Sequence, residues 1–148
     1  DDTFDGILSS HSLEHVAYPI KALFEWKRVL KNNGKLLLIL PHKINNFDNK
    51  RPYTKFDHLI SDYKNNISED DMTHYDEIVN LHDRKELSDK NYYNRFIEES
   101  KNNYNNRHFH HHVFNKDLIF QTLEFVGFKV NQYYEHEEDL ITVAQIIK

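Results

Sequence analysis

The sequence predicts an α/β fold in which a strand–helix–strand unit and a closing helix–hairpin unit flank a polar helical insertion. Three observations carry this expectation. Phe4–Ser9 and Leu36–Leu40 are short apolar runs, the pattern of buried parallel strands. Between them Ala22, Leu23, Trp26, Val29 and Leu30 recur at the i, i+3/i+4 spacing of an amphipathic helix. Near the C-terminus, Phe128 to Tyr134 and Leu140 to Ile147 alternate, and so short a link pairs them as an antiparallel hairpin.

In chain order, Pro19 opens the first helix, because a residue without an N–H fits the first helical turn. Gly34 is expected to stop it and Pro41 to close the second strand. Strand, helix and strand with tight connections form a βαβ unit over residues 1–44. Residues 45–107 are polar, without β-branched runs. They read as an insertion of short helices, one through Phe56, Leu59, Ile60 and Tyr63, one through Tyr75, Ile78, Val79 and His82, and one through Tyr92, Tyr93, Phe96 and Ile97. Lys101 to Arg107 is expected to be a mobile loop. Residues 108–148 hold a His-rich stretch, a last helix and the hairpin. Asn115 should cap that helix, Leu118, Ile119, Leu123 and Val126 should bury its inner face, and Gly127 should end it.

Composition narrows the function classes. The chain has 148 residues, 39% hydrophobic and 29% charged, enough for one domain with a real core. With no cysteine it has neither disulfides nor thiolate metal sites. No apolar run approaches the roughly 18–20 residues that span a bilayer, and no signal layout stands at the start, so no membrane association is expected. A net charge of −5 argues against a nucleic-acid partner. The chain reads as soluble, globular and cytoplasmic.

Phe4-Asp5-Gly6-Ile7, Leu13-Glu14-His15-Val16, Arg28-Val29-Leu30-Lys31-Asn32-Asn33-Gly34 before the apolar strand ending at Pro41, and Gly127-Phe128 before the hairpin together resemble class I S-adenosylmethionine-dependent methyltransferases. The resemblance implies that these strands are the fourth, the fifth and the terminal hairpin of a Rossmann-like seven-stranded sheet. The cofactor it implies is S-adenosylmethionine, and the partner a small-molecule or glycan acceptor. The insertion and the His-rich stretch look like enzymes that methylate sugars in surface-polysaccharide pathways. The family's Gly-rich loop and the acidic residue of its second strand have no counterpart, since only Gly6, Gly34 and Gly127 are present. The resemblance is thus to the C-terminal half. Either the chain is a fragment of a longer protein, or it has lost the capacity to bind cofactor alone; no turnover is expected from it in isolation. An apolar strand lacking a neighbour should also promote self-association through its exposed edge.

Candidate site residues follow. By resemblance, Ser9, Ser10 and His11 lie beside the cofactor, at the carboxyl edge where open α/β sheets bind ligands. His11 is the expected general base for an acceptor hydroxyl. His108, His110, His111 and His112 form the densest titratable cluster. In an extended segment His110 and His112 share one side, as further catalytic candidates, while His111 faces the other and is assigned to substrate with Arg51 and Tyr53. Imidazoles this close could also ligate zinc or nickel. His11-Ser12-Leu13-Glu14-His15 spells H-x-x-E-H, a zinc-protease pattern, but Pro19 leaves little room for the long helix that pattern needs. Some metal-assisted O-methyltransferases carry E-x-x-E-H here. A divalent ion on His11, Glu14 and His15 is therefore an arrangement considered but not favoured, and no metal ligand is assigned. Two other readings stay open: a non-catalytic half-fold interaction module, and a His-rich metal-dependent hydrolase.

Overall fold

The structure is a computed structural model that describes residues 1–84 and 91–148. Strand β1 (Phe4–Ser10) pairs in parallel with β2 (Leu30–Pro41) through helix α1 (Pro19–Val29), as the strand–helix–strand pattern predicts. The insertion holds α2 (Phe56–Asn65), α3 (Tyr75–Leu81) and α4 (Tyr92–Ser100) over the expected positions, except that α3 ends before His82, its C-cap. Lys101 to Arg107 is not the open loop expected. It carries a helical turn, α5 (Asn103–Asn106), because the buried Asn103 amide is fixed by the backbone N–H of Phe109 at 2.8 Å and by His111 at 3.0 Å.

Helix α6 (Lys116–Val126) is capped as expected. The Asn115 side chain accepts from the Leu118 N–H at 2.9 Å, and Gly127 at φ 99° provides the left-handed C-cap. It buries Leu118, Ile119, Leu123 and Val126. Strands β3 (Phe128–Glu135) and β4 (Asp139–Ile146) form the antiparallel hairpin, and β4 also pairs antiparallel with β2. The sheet order is β1-β2-β4-β3, four strands among the described residues.

Two details differ from expectation. Gly34 does not stop α1, which ends at Val29 and runs directly into β2. The backbone irregularity lies at Asn33 (φ 63°), and Gly34 is required because a Cβ there would meet the Lys31 carbonyl at 2.8 Å. Second, β1 is not buried. Ile7 and Ser9 face inward, while Phe4 and Leu8 are 53% and 68% exposed.

The register explains that exposure. Leu36, Leu38 and Leu40 stand opposite Ala144, Thr142 and Leu140, all buried under α1 and α6 in one core with Leu13, Ile20, Leu23 and Leu123. Leu37 and Ile39, opposite Val143 and Ile141 and next to Leu8, turn to the other side, which is only half-covered. Parallel pairing with an apolar second side is the signature of a sheet covered on both faces, and among the described residues this side is only half-covered. A separate small core joins Ile78, Phe96 and Phe109, so Phe109 of the His-rich stretch is built into the insertion.

Candidate active site at the carboxyl edge of the sheet

Both parallel strands end at one edge of the sheet, and each hands over directly to a histidine. After Ser10, His11 adopts a left-handed backbone (φ 47°) while its N–H still bonds the Ile39 carbonyl at 3.0 Å. That turn is fixed by the Ser12 hydroxyl, which donates to the Ser10 carbonyl at 2.9 Å, and by Leu13, buried in the core. After Pro41, the His42 N–H bonds the Glu138 carbonyl at 2.8 Å. The turn of the β3–β4 hairpin reaches this edge too and delivers two carboxylates.

Two histidine–carboxylate pairs result. His11 Nε2 lies 2.9 Å from Asp139 Oδ1, with both side chains reachable from solvent. His42 Nε2 lies 2.9 Å from Glu135 Oε1. The His42 tautomer is set, since Nδ1 accepts from the Ile44 N–H at 3.2 Å and Nε2 must then carry the proton. His42 and the Tyr133 hydroxyl, which donates to Glu135 Oε2 at 3.0 Å, hold the Glu135 carboxyl below its usual range. Burial, with Glu135 adding to it, raises the Tyr133 phenol. His42, Ile44, Asn45, Glu135, His136 and Glu137 line a depression of about 480 Å³ beside these pairs.

Under His11 lies Glu14, 1% exposed, with both carboxylate oxygens lacking a hydrogen-bond partner. Burial raises its pKa. His11 Nδ1 and His15 Nε2 stand 3.9 and 3.8 Å from Glu14 Oε1, too far for hydrogen bonds. His15 donates from Nδ1 to the Phe109 carbonyl at 2.8 Å, and burial lowers its pKa. Glu14 and His15 lie on a single helical turn, Leu13–His15, so the long helix of an H-x-x-E-H protease is not formed. Glu14, His15 and His110 bring one ligand atom each to within 4.8 Å of one another, so His110 takes the place that the sequence offered to His11.

The His-rich stretch is a buried spine. His110 Nδ1 donates to Asp48 Oδ2 at 2.5 Å, and Asp48 Oδ1 accepts from Arg51 at 2.7 Å. Burial alone would raise the Asp48 carboxyl, but His110 and Arg51 hold it below its usual value. Arg51, 1% exposed, also donates to Glu77 at 2.9 Å and to the His110 and His111 carbonyls at 2.7 and 3.2 Å. Its donors are thus engaged inside the protein rather than offered to a substrate. His111 is fully buried, its Nε2 accepting from Asn103, and burial lowers its pKa to about 4. His112 is buried as well, with Nε2 against the Ala17 carbonyl at 3.2 Å.

Of the residues expected at the site, Ser9, Ser10 and His11 stand together at the sheet edge, Ser9 buried with an unpartnered hydroxyl and Ser10 exposed. Tyr53 is exposed, its ring under Lys43 Nζ at 4.4 Å. Arg51, His110, His111 and His112 are buried behind this edge because their polar atoms tie the insertion to the core. Sequence reasoning missed His42, Glu135 and Asp139. Pro41-His42 follows its strand as Ser10-His11 follows the first, and that repeated placement was the available signal.

The sequence resemblance implies S-adenosylmethionine at this edge. The orphaned Ser9 hydroxyl and the exposed Ser10 at the carboxyl end of β1 fit one wall of such a site. Gly6 is in a strand, Gly34 beside the α1–β2 junction and Gly127 at a helix end, so the chain has no glycine-rich cradle.

Comparison with known proteins agrees with the architecture. Residues 1–38 match the family described as a methyltransferase domain. An uncharacterized protein of Methanocaldococcus jannaschii is 51% identical over 43 residues, covering 29% of this chain and 19% of that protein. The crystal structure of a Listeria monocytogenes protein assigned as an S-adenosylmethionine-dependent methyltransferase superposes with a TM-score of 0.53 at 17% identity, over 99% of this chain and 63% of that one. The chain therefore spans about a fifth of the archaeal relative and less than two thirds of the structural neighbour. Residues 1–38 thus match the methyltransferase-domain family, and the chain as a whole shares the fold of the structural neighbour.

Proposed function

We propose that this chain forms the acceptor side of an S-adenosylmethionine-dependent O-methyltransferase acting on a hydroxylated small molecule, with a sugar or glycan as the favoured class. The single observation that carries the reading is the His11–Asp139 pair, at 2.9 Å on the carboxyl edge of β1. When bound, S-adenosylmethionine supplies an electrophilic methyl group on a sulfonium leaving group. His11 Nε2–H donates to Asp139, which leaves the Nδ1 lone pair to take the acceptor's hydroxyl proton. Asp139, and Glu14 3.9 Å from Nδ1, stabilise the imidazolium that forms. Ser9 and Ser10 hold the cofactor edge, and Tyr53 and His42 border the acceptor. Rate enhancement comes largely from orientation of the two reactants.

In this reading the four strands are later strands of a seven-stranded sheet. Residues outside this sequence supply the Gly-rich loop and cover the open side around Leu8, Leu37 and Ile39. The half-covered sheet and the 63% coverage of the structural neighbour support it. The exposed edge of β1, with Leu8 68% exposed, favours one alternative, a non-catalytic module that pairs through that edge. The deciding experiment is calorimetric titration of S-adenosylhomocysteine into the chain, alone and joined to whatever coding sequence lies upstream. Binding in the longer form supports the methyltransferase reading. A folded longer form that does not bind it supports the module.

A further inference from the structure

Away from the sheet edge, four side chains from three segments converge inside the insertion. His58 and Asp62 lie one turn apart on α2, His74 precedes α3, and His112 belongs to the segment leading into α6. His58 Nε2 is 3.0 Å from His74 Nε2 and 3.2 Å from Asp62 Oδ2. One ligand atom from each of the four residues lies within 4.8 Å of all the others.

Hydrogen bonding does not account for this arrangement. Asp62 Oδ2 is buried without a hydrogen-bond partner. His112 Nδ1 is also buried without a hydrogen-bond partner among the described residues. His58 and His74 present the same ring nitrogen to each other at 3.0 Å, which consumes at most one proton. Buried polar atoms are nearly always paired, so these two orphans need an explanation.

A cation explains them. Zinc–nitrogen and zinc–oxygen bonds of about 2.0–2.1 Å give a tetrahedron with ligand–ligand edges of about 3.3 Å. Two edges of the cluster, 3.0 and 3.2 Å, are already near that length, and the 4.0 Å separation of His112 Nε2 from Asp62 Oδ2 closes by a small side-chain rotation that releases Nε2 from the Ala17 carbonyl. Three imidazoles and one carboxylate are borderline donors that suit zinc over calcium or magnesium.

We propose that His58, Asp62, His74 and His112 form a four-ligand structural zinc site that ties α2 and α3 of the insertion to the segment before α6. Four protein ligands leave no open position, which marks the site as structural. It is separate from the methyl-transfer reading and stands without it.

The test is zinc stoichiometry of the purified chain after loading and dialysis against metal-free buffer, with folding verified by circular dichroism. One equivalent per chain is expected, and cobalt loading should give the visible absorption of a tetrahedral site. His58→Gln and Asp62→Asn should each weaken zinc affinity by at least about a hundredfold, the upper end of what outer-shell changes cost. His58 is the ligand for which a folded variant is easiest to obtain, since its side chain is 39% exposed. Glu14→Gln, in the neighbouring three-residue group, should leave zinc binding unchanged. A folded chain that retains no zinc overturns the proposal. So does zinc that survives both ligand substitutions or is lost on Glu14→Gln.

Discussion

Asp48 and His110 meet at 2.5 Å in a region that solvent barely reaches, and the opposite oxygen of Asp48 is held by Arg51. One carboxylate thus balances a buried guanidinium and anchors an imidazole 62 residues away. Breaking such a pair from one side leaves an uncompensated charge, which costs about 3–5 kcal/mol. Asp48→Asn should lower unfolding stability by that order in urea titrations. The folded pKa of Asp48 is depressed, so its contribution is present above the unfolded value near 3.8 and is lost as pH falls through the depressed value.

Glu14 has the opposite sign. Its folded pKa is raised, so the folded state is favoured below the unfolded value near 4.5 and loses that advantage as pH rises through the raised value. Glu14→Gln removes the cost of a buried, unpartnered carboxylate. It should stabilise the chain by on the order of 1 kcal/mol at pH 8 and by almost nothing at pH 4. Denaturation midpoints at the two pH values check this, and equal shifts at both would refute it.

His111 carries the clearest acid lability. It is neutral in the folded chain, with its pKa lowered to about 4 by burial, against about 6.5 when unfolded. Its contribution is complete above pH 6.5 and is lost progressively as pH falls toward 4, because the unfolded state takes up the proton first. For the metal-free protein this amounts to on the order of 3 kcal/mol. A His111→Asn variant should flatten stability between pH 6.5 and 4, measured by chemical denaturation.

The uncovered edge of β1 should make the isolated chain associate. Leu8→Lys places a charge on the open side next to Leu37 without touching the inner core, and charges on exposed edge strands oppose pairing. Sedimentation velocity should show a concentration-dependent oligomer for the parent chain and a monomer for the variant. A parent chain that sediments as a single monomer across concentrations would remove this expectation.

In a cofactor-competent form, His11→Gln should reduce kcat by about 10²–10⁴-fold with a small effect on KM, the range for loss of a positioned base. Asp139→Asn should cause a smaller loss, because it orients the imidazole rather than meeting the acceptor. Radiolabel transfer to hydroxylated acceptors provides the readout.

The elements were legible where one physical signal dominated. Period 3.6 marked α1 and α2, alternation marked β3 and β4, and Asn115 and Gly127 fixed both ends of α6. Burial of β1 was misjudged because its apolar run describes a strand covered on both faces, and one face is bare. At the site, His11 stood out through its place after a strand. Arg51 and the His110–His112 run looked available because sequence shows donors and not the Asp48, Glu77, Asn103 and Ala17 partners that occupy them. Asp139 was hidden in an acidic turn, where nothing local separates a carboxylate paired with a histidine from a solvated one.

The separation between His11 and Asp139 is 128 residues, and that of His42 and Glu135 is 93. Each histidine–carboxylate pair therefore joins the first strands made to the last ones. On a ribosome, the histidines emerge early and remain without their acids until the final hairpin docks against β2. Such long-range closures are late, slow events in folding. Any premature stop or proteolytic nick that removes the hairpin would leave both imidazoles in place but unpaired.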